Sequence, residues 1–372
     1  MAKYVCPNCI EEQDLNAVEY YCNNTDKKTD CSNAANMVRI KPANMKKPVC
    51  DVCQKPLTSM CCPKCGFELP GNIGIIKNHP IAIIGAKESG KSNYIAVLID
   101  ELKNSIGRAF NAALLPTGGD KTINRYKTDF YTPIFRDRTC VRGTDSGQVE
   151  PLIYSMVFEG KKRLFGKPKS RSLSLTFFDT AGENLSAAAT MQTYNRYLAH
   201  SEGIILLLDP LQLPVVRDEL GDSIELPEEN EEAANILNRT IEIIRRETNN
   251  MNLNNKIDIP LAVVFTKIDA VDSLLDPSSC LKNDSTHVRN GCFNVVDFND
   301  TNMEMQSLVD KWSGAEMVQL VTKQFSRFAF FGLSALGSNP DFDTKKIPKF
   351  RPFRVADPFL WILAEHGLIE TK

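Results

Sequence analysis

The sequence predicts an α/β domain, a mostly parallel sheet with helices on both faces, preceded by a small cysteine-rich metal-binding module. Three observations predict it. From residue 80 onward, short and nearly continuous apolar runs alternate with longer amphipathic stretches, the pattern of strands buried on both faces between helices. One such run, "IAII", leads directly into "GAKESGKS" at residues 85–92, a glycine-bearing turn of the kind that opens a helix and holds phosphate. Nine of the twelve cysteines fall within the first 65 residues, several spaced C-x-x-C. In a polar segment too poor in apolar residues to fold alone, that clustering means metal rather than disulfides.

Residues 1–70 form the cysteine-rich module and residues 78–372 the α/β domain, joined by "LPGNIGIIKNHP". Within the module, Cys6, Cys9, Cys22 and Cys31 make one tetrad; Cys50, Cys53, Cys62 and Cys65, reading "CDVC" and then "CPKC", make a tighter second one. Each knuckle presents two thiolates at the spacing of a tetrahedral Zn²⁺ site, and such Cys₄ sites are structural. The looser pair Cys22 and Cys31 leaves room for a cross-braced arrangement in which knuckles exchange partners, and Cys61, beside Cys62, for a substitution in the second site.

In the second domain the buried strands are expected at 81–84, 175–179, 203–209, 261–266 and 328–334. Residues 152–159 and 172–179 flank a basic tip and read as an antiparallel hairpin at the sheet edge. Helices are expected at 91–107, 185–200, 230–249 and 303–327, with "DPFLWILAEHGLI" closing the chain; residues 108–150 and 270–300 read as insertions. The composition, 42% hydrophobic and 24% charged with a net charge of −2, is that of a globular domain and makes no global case for nucleic acid or an anionic membrane. The most apolar run, "GIILLLD", is too short to span a bilayer, and "MAKYVCPNCI" lacks the apolar stretch of a signal peptide, so a cytoplasmic protein is expected.

Four motifs carry the chemistry. In "GAKESGKS" the backbone around Gly85, Lys87, Glu88, Ser89 and Gly90, together with the start of a helix at Lys91, Ser92 and Asn93, would hold phosphates; Lys91 would reach the β- and γ-phosphates and the Ser92 hydroxyl Mg²⁺. In "FFDTAGE", Asp179 at a strand end would hold the metal through water and Gly182 would offer its N–H to a γ-phosphate. "VVFTKIDA" selects the base: opened by Thr266, it presents the Asp269 carboxylate to N1–H and the exocyclic amine of guanine, donors that adenine lacks, while Lys267 lays its stem across the ring. "GLSALG" adds Ser334 and Ala335, whose backbone would meet the guanine O6, with Leu336 beside them in the nucleotide-binding set.

This ordered set resembles the Ras-like, translation-factor-related (TRAFAC) class of P-loop GTPases over about residues 78–372. The resemblance implies nucleotide at the carboxyl ends of the strands, GTP and GDP with Mg²⁺ as ligands, hydrolysis of GTP to GDP and phosphate, and two switch segments that order around the γ-phosphate. It implies a switch threonine that ligates Mg²⁺, for which Thr144 is best placed and Thr139 second, and makes Arg142 a candidate arginine finger in cis. Glu88 and Ser89 resemble the "GESGKS" ending of G-protein α subunits, whereas Lys87 stands where Ras-like proteins keep glycine. Glu183 stands where they place the glutamine that orients water. Its charge beside a γ-phosphate is unfavourable, which implies slow turnover and a partner completing the site. The alternative is a scaffold that holds GTP without hydrolysing it while the zinc ribbon docks a protein.

The ribbon and the closing "VADPFLWILAEHG" are also similar to bacterial double-GTPase proteins of conflict or defence systems. The partner expected is a protein: a regulator, a second GTPase or an effector. The basic tip (Lys161, Lys162, Arg163, Lys167, Lys169, Arg171) and the acidic stretch from Asp218 to Glu232 carry opposite signs that would allow self-association.

Overall fold

The computed structural model describes residues 3–22, 24, 31, 49–57, 59–71, 73, 78–117, 119–143, 151–158, 171–178, 188–221, 224–229, 233–252, 254–341 and 343–372. Two small antiparallel sheets make up the N-terminal part: β1 (Lys3–Val5) with β2 (Glu12–Asp14), and β3 (Glu19–Tyr21) with β4 (Ser59–Cys61) and β5 (Glu68–Leu69). A seven-stranded sheet follows. Its strands are β6 (Asn78–Gly85), β7 (Ala112–Pro116), β8 (Leu152–Phe158), β9 (Arg171–Phe177), β10 (Gly203–Leu208), β11 (Leu261–Phe265) and β12 (Phe328–Gly332), in the order β12-β11-β10-β6-β9-β8-β7.

The pairs β6–β9, β6–β10, β10–β11 and β11–β12 are parallel, and β8 runs antiparallel to both neighbours. The result is a mostly parallel sheet with helices on both faces, in which the glycine-bearing loop joins β6 to the helix after it. The helices are α1 (Lys91–Lys103), α2 (Ser105–Ala109), α3 (Gly119–Arg125), α4 (Ala188–Ala199), α5 (Pro214–Leu220), α6 (Ala233–Glu247), α7 (His287–Asn290), α8 (Val295–Ser313), α9 (Ala315–Gln324) and α10 (Asp357–Glu365).

The period-2 alternation of the strands sorts their side chains between two cores. Ile81, Ile83, Ile205, Leu207, Val264 and Phe331 pack with α1 and α10 on one face. Ala82, Ile84, Ile204, Leu206, Val263 and Phe330 pack with α4, α6, α8 and α9 on the other. Every residue of β10 and β11 is buried, which is why those strands read as unbroken apolar runs.

Four expectations are corrected. The β8–β9 hairpin pairs antiparallel, Leu152 opposite Phe177, but it does not form the edge. That place belongs to β7, a short run, AALLP, in which only Leu114 is buried. Residues 108–150 are therefore partly sheet, and also contain a π-helical stretch, Tyr126–Asp137. The helix expected at 303–327 starts earlier and breaks at Gly314 (φ 76°), giving α8 and α9, and the one expected at 91–107 ends at Lys103. The 270–300 segment is held by a buried guanidinium: Arg354 donates to both Asp297 oxygens (2.8 and 3.2 Å), to Asp357 (2.8 Å) and to the Asn283 carbonyl (3.0 Å).

Candidate nucleotide site and zinc clusters

The loop that follows β6 turns by alternating conformations. Glu88 (φ 61°) and Gly90 (φ 89°) are left-handed, and Gly90 caps α1, whose Tyr94 N–H returns to the Gly90 carbonyl at 2.8 Å. Such a succession points consecutive N–H groups inward, a concavity for anions at the positive end of a helix. Gly85 is needed for close approach. A Cβ there would lie 2.4 Å from the Leu207 carbonyl oxygen and 2.6 Å from Ser89 Oγ. Lys91 Nζ donates to the carbonyls of Gly85 (2.8 Å) and Ala86 (2.6 Å), spanning its own loop. Ser92 and Asn93 are half-buried on the first turn of α1, while Lys87 and Glu88 are exposed at the loop tip.

The T-K-x-D turn after β11 sits two strands away on the same edge. Register places Leu207 opposite Gly85, Leu208 opposite Phe265, and Phe265 opposite Gly332, so the three motifs lie at adjacent carboxyl ends where the strand order reverses beside β6. Thr266 binds them together: its hydroxyl donates to Ser89 O (3.0 Å) and Leu208 O (3.1 Å), and its N–H to Leu208 O (2.8 Å). Lys267 is left-handed (φ 52°) and its ammonium pairs with Asp209 Oδ2 at 2.5 Å. Asp269 Oδ1 is buried without a hydrogen-bond partner. Burial pushes the Asp269 carboxyl up, partly offset by the Ser334 hydroxyl.

That orphaned acceptor fits a donor-rich base edge. Ser334 is buried and its N–H donates to the Phe353 carbonyl (3.0 Å).

The approach to the first switch is tied down. Val141 N–H donates to Asn93 Oδ1 (2.9 Å), Cys140 N–H to Lys345 O (3.0 Å), and Ile347 N–H to Arg138 O (2.7 Å). Thr139 pairs with Lys346 and its N–H donates to Pro133 O at 2.9 Å. Arg142 is exposed. Thr144, Asp179, Gly182 and Glu183 lie outside the described residues, as do Lys161, Lys162, Arg163, Lys167 and Lys169. Of the three expected Mg²⁺ ligands only Ser92 is therefore placed. Sequence reasoning assigned no role to Asp209; the D-P step after a buried strand, a cap followed by Pro at the first helical position, was the available signal.

The eight cysteines form two sets, Cys6, Cys9, Cys62 and Cys65, and Cys22, Cys31, Cys50 and Cys53, each with its sulfurs within 4.8 Å of one another. The sequential pairing is thus corrected to the cross-braced one, and Cys61 belongs to β4 and to neither set. The cause is strand pairing. β3 lies against β4, which brings the knuckle after β4 back to the chain's first knuckle. The sulfur separations of 3.8 Å (Cys6 to Cys65), 3.9 Å (Cys9 to Cys62), 3.5 Å (Cys22 to Cys53) and 3.9 Å (Cys31 to Cys50) match the edge of about 3.8 Å of a tetrahedron with Zn–S bonds of about 2.3 Å.

Three knuckles share one turn: Ile10, Gln54 and Gly66, each left-handed, return their N–H groups to Cys6, Cys50 and Cys62 at 2.9 Å. Hydrogen bonding from Cys6 pulls the Cys62 thiol down to about 6, and backbone N–H groups of Cys53 and Val52 pull Cys50 down to about 7. Their neighbours Cys6, Cys9 and Cys22 are pushed up instead, because four thiols this close cannot all ionise without a cation among them; sulfur-only sets of this kind fit a soft divalent ion.

The first cluster is seated on the α/β domain. Ile10, fully buried, joins the core that contains Phe178, Tyr197 and Leu198, and Glu11 bridges Lys64 of the module to Arg196 of α4. Ile10→Ala is expected to weaken this seat by about 2–4 kcal/mol through lost burial and a residual cavity, read as faster amide hydrogen exchange in both the first knuckle and α4.

No helix among the described residues is long and apolar enough to cross a membrane. No family model matches the chain. Over 332 residues, 83% of this chain and 80% of its relative, it is 27% identical to a Mycolicibacterium smegmatis protein, SaeC, named as a candidate ESX-1 scaffolding and assembly protein. Among solved structures it is similar to a GTP-binding protein from Sulfolobus solfataricus in complex with GDP, with TM-score 0.29 and 11% identity over 77% of this chain and 53% of that one. It is also similar to the signal recognition particle receptor SRb-GTP/SRX complex from Chaetomium thermophilum, with TM-score 0.27 and 11% identity over 71% and 94% of the two chains. A third is the S. cerevisiae Ski7 GTPase-like domain bound to GDP and inorganic phosphate, with TM-score 0.28 and 15% identity over 78% and 50%. The chain thus spans about half the length of the first and third of these structures.

Proposed function

We propose that the chain binds GTP and GDP with Mg²⁺ and acts as a slow GTP-driven switch whose zinc-bearing module engages a protein partner. The observation that carries this reading is Asp269 Oδ1, a buried acceptor without a partner beside Lys267 and on the same sheet edge as the phosphate loop. The loop N–H groups and Lys91 would take the phosphates, and Ser92, with Thr144 and Asp179, would take the metal, which supplies charge neutralisation between the phosphates. Gly182 would sense the γ-phosphate, and Arg142 would stabilise charge in the transition state. A place in a bacterial defence system rests on the resemblance of the ribbon and closing helix alone.

A second reading is a scaffold that retains GTP without turning it over. Glu183 favours it, as does the relative named for scaffolding and assembly. Single-turnover phosphate release from wild type and Glu183→Gln separates the two. The switch reading expects wild-type rates on the order of 10⁻³ s⁻¹ or slower, as for unassisted GTPases, and about tenfold acceleration in the variant. Retained GTP with no phosphate release from either protein selects the scaffold. Turnover of several per second by the purified chain overturns the slow switch.

A further inference from the structure

The base-selecting turn depends on a residue from a neighbouring strand. Asp209 directly follows β10, with its side chain 3% exposed. Its Oδ1 accepts the Leu211 N–H at 3.0 Å, which caps the short 3₁₀ turn that follows, and its Oδ2 lies 2.5 Å from Lys267 Nζ. The backbone on the other side of the pair is equally fixed, because Thr266 donates twice to the Leu208 carbonyl and so holds Lys267 level with Asp209. The lysine stem is thus anchored at both ends. A lysine otherwise carries large rotamer freedom that is lost when it packs on a ligand; here that freedom is already lost on folding.

The charges point the same way. Asp209 and Asp269 both act on Lys267, and the Asp209 charge by itself would push the Asp269 carboxyl further up. The Lys267 charge acts on the Asp269 carboxyl in the opposite sense, lowering it against burial.

We infer that Asp209 is a positioning residue for guanine binding, holding the Lys267 ammonium so that the lysine stem forms one wall of the base slot before nucleotide arrives. The inference rests on the guanine reading proposed above. It makes Asp209 act through Lys267 rather than on the ligand, so the two residues form a thermodynamic pair.

The test is a double-mutant cycle on GDP affinity with a fluorescent GDP analogue, using Asp209→Asn, Lys267→Met and the double variant. Asparagine keeps an oxygen for the Leu211 N–H, and methionine keeps an apolar stem. Asp209→Asn is expected to weaken GDP binding about tenfold, about 1.4 kcal/mol, with the nucleotide-free thermal midpoint unchanged. The double variant is expected to bind within about twofold of Lys267→Met alone. Asp209→Asn binding as tightly as wild type overturns the inference. So does a tenfold loss that persists in the Lys267→Met background, since Asp209 would then act through the Leu211 cap. Wild type that binds GDP no better than ADP overturns the guanine reading, and the inference with it; tight GDP binding by wild type with an uncoupled Asp209 overturns the inference alone.

Discussion

Asp269→Asn is expected to lower GTP and GDP affinity by on the order of 10³-fold and to turn the site toward xanthine nucleotides. The carboxylate would accept two N–H groups from guanine, each a charge-assisted hydrogen bond worth about 1.5–3 kcal/mol. An amide offers one acceptor and opposes the exocyclic amine with its own N–H₂. Xanthine carries an oxygen at that position, so the amide satisfies it. A site built around buried polar groups rejects the mismatched partner strongly because those groups are left unpaired.

The fold should tolerate the change, since Asp269 Oδ1 has no partner to lose and burial already disfavours its charge. The raised carboxyl also sets the sign of the pH dependence. Guanine binding needs the ionised form, so GDP affinity is lost as pH falls through the Asp269 pKa, at a higher pH than an exposed aspartate would allow. Calorimetric titration of wild type and variant with GDP and XDP checks both statements. An unchanged base preference removes Asp269 from the site.

Metal stripping is expected to unfold the cysteine-rich module while the seven-stranded sheet persists. A structural Zn²⁺ contributes about 10 kcal/mol or more to a small domain, and two clusters replace the core that the module lacks: its buried sets are small and built largely from the cysteines themselves. The pairing gives a sharper outcome than removal. Cys6→Ser with Cys65→Ser strikes one cluster twice and should leave one equivalent of zinc, whereas Cys6→Ser with Cys50→Ser strikes both and should leave none. Sequential tetrads predict loss of both equivalents in the first double variant. Zinc content by elemental analysis decides it. Full amide protection of the module after complete metal removal would show that the clusters are not metal sites.

The elements that were legible in the sequence are those whose burial is complete. β10 and β11 are apolar throughout because both faces are covered, and the phosphate loop is marked by glycines that its turn requires. β7 was missed because its apolar run, Ala112 to Leu115, is short and lies within a longer polar stretch, and only Leu114 of it is buried. The contacts of Thr139 with Pro133 and Lys346 were not legible because they come from a turn and a distant loop.

The sequence by itself determined the residue types and their order along the chain: the phosphate loop, the T-K-x-D turn after a buried strand, and the four C-x-x-C or looser cysteine pairs. Local chemistry suffices for these, since each motif is built within a few consecutive residues. Only the tertiary structure decided which knuckles share a metal site, that Asp209 rather than solvent meets Lys267, and that Asp269 keeps a buried unpartnered oxygen. Knuckles of one spacing are interchangeable on paper. What separates them is the antiparallel pairing of β3 with β4 and the parallel register of β10 with β11, contacts between residues far apart in the chain.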